Sequence, residues 1–269
     1  IKCFRCIKAC DEVQGKNVLS FSERGITSYI IAGFDQWNES ECDGCGECIQ
    51  LCPTGAIVEK PHRNEIQLDK LDKQVITTCP YCGVGCQIRL SIQNGIIVRS
   101  DGVEGILPND GRLCVKGRFG YDYVHSKERL TTPLIKKQGK FVEASWDEAL
   151  KDIQKSCSEI KEKMGGVCIG GLISPNLDNR SLYYFSKLIR TVFKSNNIDF
   201  RGDYRMLPKK PDTSFSVLSS RPFTIADIDD SDVIVSFGSD LIREHTNEYL
   251  RIRKAYNLGN SKIYSLNPY

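Results

Sequence analysis

The feature that most constrains this chain is a run of four cysteines, Cys42-x2-Cys45-x2-Cys48-x3-Cys52, closed by Pro53. Two short x2 loops set three sulfurs around one face of a cube of iron and inorganic sulfide. The fourth thiol, just before the proline, is spaced to serve a second cube. Gly44 and Gly46 sit inside the loops, where a residue without Cβ lets the backbone wrap tightly and aim N–H groups at sulfur. Four cysteines at x2 spacings also occur in zinc sites. The 2-2-3 spacing followed by Pro53-Thr54-Gly55-Ala56 favours the cube.

Cys3-x2-Cys6-x3-Cys10 repeats the end of the same run, with Asp11 in place of the proline. Its first cysteine is expected shortly before Ile1, so the chain is read as an internal portion of a longer subunit. Crossing the fourth ligands predicts two sites. One holds Cys3, Cys6, Cys52 and the upstream cysteine; the other holds Cys42, Cys45, Cys48 and Cys10. The insert between the runs, 31 residues long, reads as a hairpin with arms Asn17–Phe21 and Thr27–Ile31. Thr54–Val58 and 65–68 read as closing strands. A third group, Cys79-x2-Cys82-x3-Cys86-x27-Cys114, has a different order. A strand pair, Gln87–Ile92 and Ile96–Arg99, turned at Asn94-Gly95, separates its last two members. Spacing alone leaves a zinc knuckle open for this group. Three cubes require about twelve thiolates. Eleven are at hand, leaving Cys157 on a predicted helix and Cys168 on a predicted strand as inert buried thiols.

Thirteen cysteines in 269 residues belong to metal chemistry more readily than to a disulfide scaffold. The formal charge of +3 would fall to about −2 once eleven thiolates and three doubly positive cores are counted. No dense basic run suggests a nucleic-acid partner. No apolar stretch is long enough for a membrane span, and no signal-peptide pattern opens the chain. A cytoplasmic location is expected.

From about Thr131 the pattern changes. Trp146, Ala149, Leu150, Ile153, Cys157, Ile160 and Met164 share one helical face. Ser145 and Glu148 form a candidate capping box, and Gly165-Gly166 is a stop. Val167–Ile173 reads as a buried strand, Arg180–Lys194 as a helix, Asp232–Phe237 as a strand, Glu244–Leu258 as a helix and Lys262–Leu266 as a strand. That alternation predicts a parallel sheet. The fold class is thus α+β followed by α/β: a twin-[4Fe-4S] ferredoxin-like module at 1–72, a small β-rich [4Fe-4S] domain at 73–130, and an incomplete α/β domain at 131–269. His62, His125 and His245 are isolated and receive no metal role. Lys209 and Lys210, between Pro208 and Pro211, read as a solvated loop.

Cys79-Pro-Tyr-Cys-Gly-Val-Gly-Cys, Leu113-Cys-Val-Lys-Gly-Arg-Phe-Gly-Tyr, Thr132-Pro-Leu-Ile, Ala144-Ser-Trp-Asp-Glu-Ala-Leu, Asn196-Asn-Ile-Asp and Ile225-Ala-Asp-Ile resemble the molybdopterin oxidoreductases. Within that family the chain is similar to the G subunit of NADH:quinone oxidoreductase and to the catalytic subunit of cytosolic formate dehydrogenase. The resemblance implies that the third group holds a [4Fe-4S] cluster. It implies that Lys116 bridges this cluster and a pterin, and that the strand-to-helix loop at Gly238-Ser239 approaches the pterin nucleotide. A tight βα turn is the plain alternative for that loop.

Formate dehydrogenases of this type carry a metal-bound Cys or selenocysteine, then His, after the Asn-Asn-Ile/Val-Asp stretch. Here Phe200–Lys210 contains neither, no Cys follows Cys168, and nothing singles out Ser214 or Ser216 as a replacement. The expected function is therefore a relay passing single electrons through three [4Fe-4S] clusters. Its setting would be a multi-subunit NAD(P)H-linked oxidoreductase, electron-bifurcating or not, with flavin- or NAD(P)H-binding and iron–sulfur partner subunits. No molybdenum site or catalytic residue of its own is expected, and molybdopterin binding is left open. The alternative is the N-terminal part of a molybdenum or tungsten formate dehydrogenase. A zinc-ribbon interaction protein is a third reading, from a different class.

Overall fold

The computed structural model describes residues 2–34, 37–60, 68–174, 176–200, 224–259 and 261–266. The chain divides into two compact units, one of residues 1–125 with 219–269, the other of residues 126–218.

In the first unit, α1 (Arg5–Lys8) runs into a π-helical turn, Ala9–Val13, so Cys6 and Cys10 sit on consecutive turns. β1 (Leu19–Ser22) pairs antiparallel with β2 (Tyr29–Ala32), Leu19 opposite Ala32 and Ser22 opposite Tyr29. This is the predicted hairpin with shorter arms. Cys6, Val18, Leu19 and Ala32 form a small core, joined by Ile7, Cys10, Ile30, Cys48 and Ile57. So few aliphatic side chains bury little apolar area, and a module of this kind depends on its bound cargo for stability. α2 (Glu47–Gln50) starts at Gly46, which is left-handed.

Thr54–Val58 does not form the expected strand; it is a series of turns and bends. The backbone N–H groups of Thr54, Ala56 and Ile57 turn in toward the Cys52 sulfur, so they are not presented to a neighbouring strand. The partner strand expected at 65–68 falls almost wholly outside the described residues.

β3 (Lys73–Thr78), β4 (Gln87–Gln93) and β5 (Ile96–Gly102) form an antiparallel meander. The β4–β5 turn uses left-handed Asn94 and Gly95 (φ 52° and 74°), the arrangement a two-residue hairpin loop needs. β3 was not anticipated, although Val75-Ile76-Thr77-Thr78 is a β-branched run suited to it. Cys79, Cys86, Ile88 and Leu113 are the core here, and α3 (Val115–Phe119) follows Cys114 directly.

The second unit opens on a hairpin of β6 (Leu134–Lys137) and β7 (Lys140–Glu143). Then comes α4 (Trp146–Met164), with the predicted limits. Ser145 caps it by accepting the Glu148 N–H, while the Glu148 carboxylate meets Lys137 Nζ at 2.7 Å. The predicted strand from Val167 is shorter than expected. Gly166–Cys168 is a 3-10 turn, and only β8 (Gly171–Ile173) is extended. Cys168 is therefore exposed, not a buried strand thiol, and Cys157 is half-buried. α5 (Asn179–Lys187), capped by Asp178, ends in a π-helical turn at Leu188–Val192. β9 (Ile198–Phe200) pairs parallel with β8.

Back in the first unit, β10 (Val233–Phe237) leads through a loop to α6 (Leu241–Glu244), α7 (Thr246–Gly259) and β11 (Lys262–Leu266), which returns parallel to β10. The helix predicted across 244–258 is thus broken. His245 leaves helical geometry (φ −131°, ψ 53°), and Asp240 caps the short first piece. The predicted parallel pairing is present as two separate two-stranded sheets, one per unit, among the described residues.

Candidate metal centres

Each cysteine group brings its thiols into one another's field. Burial pushes the Cys6 thiol up, the N–H of Ile7 opposes this, and Cys3 and Cys52 push it further. Cys48 is pushed up to about 12, by burial first and then by Cys45, Cys42 and Cys10, with Cys6 as a weaker fifth influence. Cys86 also reaches about 12, through burial and then Cys79, Cys114 and Cys82, against a hydrogen bond from Asn247. Cys3 and Cys52 thus act on Cys6; Cys10, Cys42 and Cys45 act on Cys48, together with a weaker influence of Cys6; and Cys79, Cys82 and Cys114 act on Cys86.

Backbone donors surround these sulfurs in a repeating way. The N–H two residues ahead turns back to the thiol in Gly44 to Cys42 (3.4 Å), Glu47 to Cys45, Tyr81 to Cys79 and Val84 to Cys82. Val18 N–H reaches Cys10 Sγ at 3.3 Å. Cys52 is the extreme case. Burial raises its pKa, but the N–H groups of Ile57, Thr54 and Ala56 and the Thr54 hydroxyl bring it down to about 7. N–H groups aimed at sulfur favour thiolate, the form that binds metal.

The donor set also bears on which cargo fits. Among the described residues no three Cys, His, Asp or Glu side chains converge as one metal ion would require. Thiolates on a tetrahedral zinc would stand about 3.8 Å apart. All-thiol sets in which most sulfurs meet N–H donors suit a multi-iron cube.

A buried polar cluster joins the second and third groups. Arg118, 2% exposed, donates from Nε to the Cys45 carbonyl (3.1 Å) and from its terminal nitrogens to Glu47 (3.3 Å), Asp101 (3.1 Å), the Ser100 carbonyl (3.3 Å) and Gln50. Gln14 Nε2 donates to Glu47 at 3.3 Å and to the Leu113 carbonyl at 3.4 Å. Gly46, with φ +69°, explains the close approach: a Cβ there would lie 2.6 Å from Arg118 Cγ. α7 packs on the same assembly. Arg253 and Asn257 donate to the Gly15 carbonyl at 3.2 and 3.0 Å, and Asn247 Nδ2 lies 3.3 Å from Cys86 Sγ.

Of the other expected site residues, Lys116 donates from Nζ to the Arg243 carbonyl on α6; burial pushes the Cys79 and Cys82 thiols up, and the Lys116 charge opposes this weakly. Gly238 (φ 58°) donates its N–H to the Leu266 carbonyl at 3.0 Å. Ser239 donates to Glu244 at 3.2 Å. Ser239, Asp240, Arg243, Glu244, Tyr249 and Arg253 line part of an open cavity of about 1000 Å³ against β10 and β11. His125 Nε2 accepts the Ile97 N–H at 2.9 Å, a structural use. His62, Lys209, Lys210, Ser214 and Ser216 lie outside the described residues. Gln14, Glu47, Gln50 and Asn247 had no signal in the sequence, and Arg118 stood in a quoted motif without an assigned role.

Residues 129–269 match the family described as Molybdopterin oxidoreductase, residues 72–126 the Molybdopterin oxidoreductase Fe4S4 domain, and residues 35–58 a 4Fe-4S binding domain. The chain is 39% identical to a G-type subunit of the NADH-quinone oxidoreductase of Rhizobium meliloti (strain 1021) over 201 residues, 74% of this chain and 22% of that protein. It is 31% identical to the alpha subunit of the NADPH-Fe(3+) oxidoreductase of Geobacter sulfurreducens over 98% of this chain and 30% of that protein. It is 34% identical to a Bacillus subtilis (strain 168) protein provisionally named a formate dehydrogenase, over 71% of this chain and 20% of that protein. The chain thus spans less than a third of the length of these relatives. Acetylene hydratase from Pelobacter acetylenicus shares the fold, with a TM-score of 0.53 over 72% of this chain and 27% of that one, at 16% identity. The cysteine-bearing segments and the α/β portion after them place this chain in the molybdopterin oxidoreductase family of iron–sulfur oxidoreductases.

Proposed function

We propose that the chain relays single electrons through three [4Fe-4S] clusters. Cys3, Cys6 and Cys52, with a cysteine upstream, hold the first. Cys10, Cys42, Cys45 and Cys48 hold the second. Cys79, Cys82, Cys86 and Cys114 hold the third. The observation that carries this reading is the sorting of eleven thiols into three neighbourhoods, with fourth members crossed between the first two. Bound cubes supply one-electron chemistry with little rearrangement. The protein's part is to bury the thiolates, direct N–H groups at them and clamp the second group to the third through Arg118. On this reading the functional parts are 1–72 with two clusters, 73–130 with one, and 131–269 as the α/β portion.

Lys116 lies beside Cys79 and Cys82 and reaches α6, which supports a place on the path from the third cluster toward the Gly238-Ser239 loop. There a pterin would contact Gly238 and Ser239. No molybdenum ligand is proposed, because 200–216 contains neither Cys nor His. The setting is a cytoplasmic NAD(P)H-linked complex with flavin and iron–sulfur subunits. The names of the Rhizobium and Geobacter relatives, each a subunit of a larger oxidoreductase, support it. Among the described residues no helix is long and apolar enough to cross a membrane.

The test is metal analysis with electron paramagnetic resonance after dithionite. About twelve iron per chain, including the upstream ligand, and no molybdenum or tungsten is the expected result. Zinc in place of iron would overturn the reading. The provisionally named formate dehydrogenase relative favours the second reading, a molybdenum or tungsten formate dehydrogenase. Formate-dependent dye reduction with bound molybdenum or tungsten would establish it.

A further inference from the structure

We propose that Asn247 is a positioning residue for the third cluster, donating a side-chain N–H to the Cys86 sulfur and thereby holding that cluster's potential up. The inference rests on the reading of Cys79, Cys82, Cys86 and Cys114 as cube ligands and goes further, to a residue 161 positions from the sulfur it serves.

Asn247 is 2% exposed, at the start of the 14-residue α7. Its Nδ2 lies 3.3 Å from Cys86 Sγ and 3.4 Å from the Arg112 carbonyl. The carbonyl decides which way the amide faces. A backbone carbonyl only accepts, and Arg112 O already takes an N–H from Asn109 at 3.0 Å. Turning the Asn247 amide over would set Oδ1 against that carbonyl, acceptor to acceptor. With nitrogen so placed, the hydrogen bond runs from Asn247 to sulfur, and Cys86 must accept. A protonated thiol is a weak acceptor, whereas an iron-bound thiolate is a good one. The contact is thus shaped for the ligated state. Asn247 Oδ1 is buried without a partner among the described residues, so this orientation carries a desolvation cost at the oxygen.

The consequence for electron transfer follows from charge. Accepting one electron from a neighbouring reduced cube makes the ligand sulfurs more negative; no bond breaks and no proton moves. An N–H aimed at sulfur in a buried site stabilises the reduced form more than the oxidised one, which raises the potential. Lys116 acts in the same sense on Cys79 and Cys82, and Glu248 opposes it at Cys82. Asn247 is the uncharged side-chain donor recorded at this group, beside the backbone N–H groups of Tyr81 and Val84.

The experiment compares redox titrations of the cluster-loaded full chain in its complex, followed by electron paramagnetic resonance, for wild type, Asn247→Leu, Asn247→Asp and the same-helix control Leu258→Ala, at an exposed position. Iron content is measured alongside. With iron unchanged, one cluster's midpoint should fall in the order wild type, Asn247→Leu, Asn247→Asp. The other two midpoints, and all three in Leu258→Ala, should stay in place. Unmoved midpoints in both Asn247 variants would overturn the proposal while leaving the third cluster intact. Should those variants lose the cluster, pulsed resonance on wild type labelled with ¹⁵N in asparagine side chains decides. A nitrogen coupling at the reduced third cluster supports the bond, and its absence overturns it. Zinc in the third site of wild type would instead sink the underlying reading, and this proposal with it.

Discussion

Arg118 Nε donates to the backbone carbonyl of Cys45 across 3.1 Å, linking two residues 73 positions apart in the chain. One guanidinium on the helix after Cys114 thereby holds the loop of a different cysteine group. Its remaining donors go to Glu47, Gln50, Ser100 and Asp101. This buried contact ties the two groups together, and on the proposed reading electron transfer between their clusters would depend on the spacing it sets.

Replacing Arg118 by Leu should leave the Glu47 carboxylate, which burial already pushes up, without its buried cation. Breaking one side of such a pair costs about 3 to 5 kcal/mol. Calorimetry should show a lower Tm, and the second and third clusters should lose iron sooner than the first on mild chelation. Unchanged stability and even iron loss would contradict the clamp.

Gly15 has φ +66°, and a Cβ there would lie 2.8 Å from the Lys254 backbone on α7. Gly15→Ala should cost roughly 2 to 4 kcal/mol, from the left-handed strain and the forced separation of helix and loop. Denaturant unfolding measures this. Gly25→Ala is the control, since it shares the positive φ but a Cβ there meets open space, and it should cost only about 1 kcal/mol.

Thiol reactivity should be uneven in the cluster-stripped chain. Cys52, held near 7, should alkylate at neutral pH with a rate that rises through about pH 7. Cys45, Cys48 and Cys86, pushed up to about 12, should lag until strongly alkaline pH, because only the thiolate reacts. Mass spectrometry of pulse-labelled peptides reads the order. Uniform labelling would mean that these environments exist only when cargo is bound.

Cys114→Ser should lower iron by about four atoms per chain and abolish one paramagnetic signal, whereas Cys157→Ser and Cys168→Ser should change neither. Exposed Cys168 should also react with bulky maleimides in the loaded protein. Loss of iron in either control would redraw the ligand sets.

Legibility followed the range over which each feature acts. α4 was readable end to end because its apolar repeat, the Ser145 cap and the Gly165 stop are all local signals. The β4–β5 turn was readable from Asn94-Gly95 for the same reason. The strand expected at Thr54–Val58 was not there, since its N–H groups turn to a sulfur, and propensity does not register that competition. The helix across 244–258 was drawn as one piece because nothing in its periodicity marks the break at His245.

Taken alone, the sequence determined the spacing of the cysteine motifs, and with it the expectation of three ligand groups, the first two crossed, since short loops around a cube are a matter of spacing along the chain. It also determined the helix–strand alternation after residue 131. Only the tertiary structure decided that Arg118 holds Cys45 and that Asn247 faces Cys86. Contacts between residues tens to hundreds of positions apart arise from packing several elements together, and a polar side chain carries no mark in the sequence of the distant group that will satisfy it once both are buried.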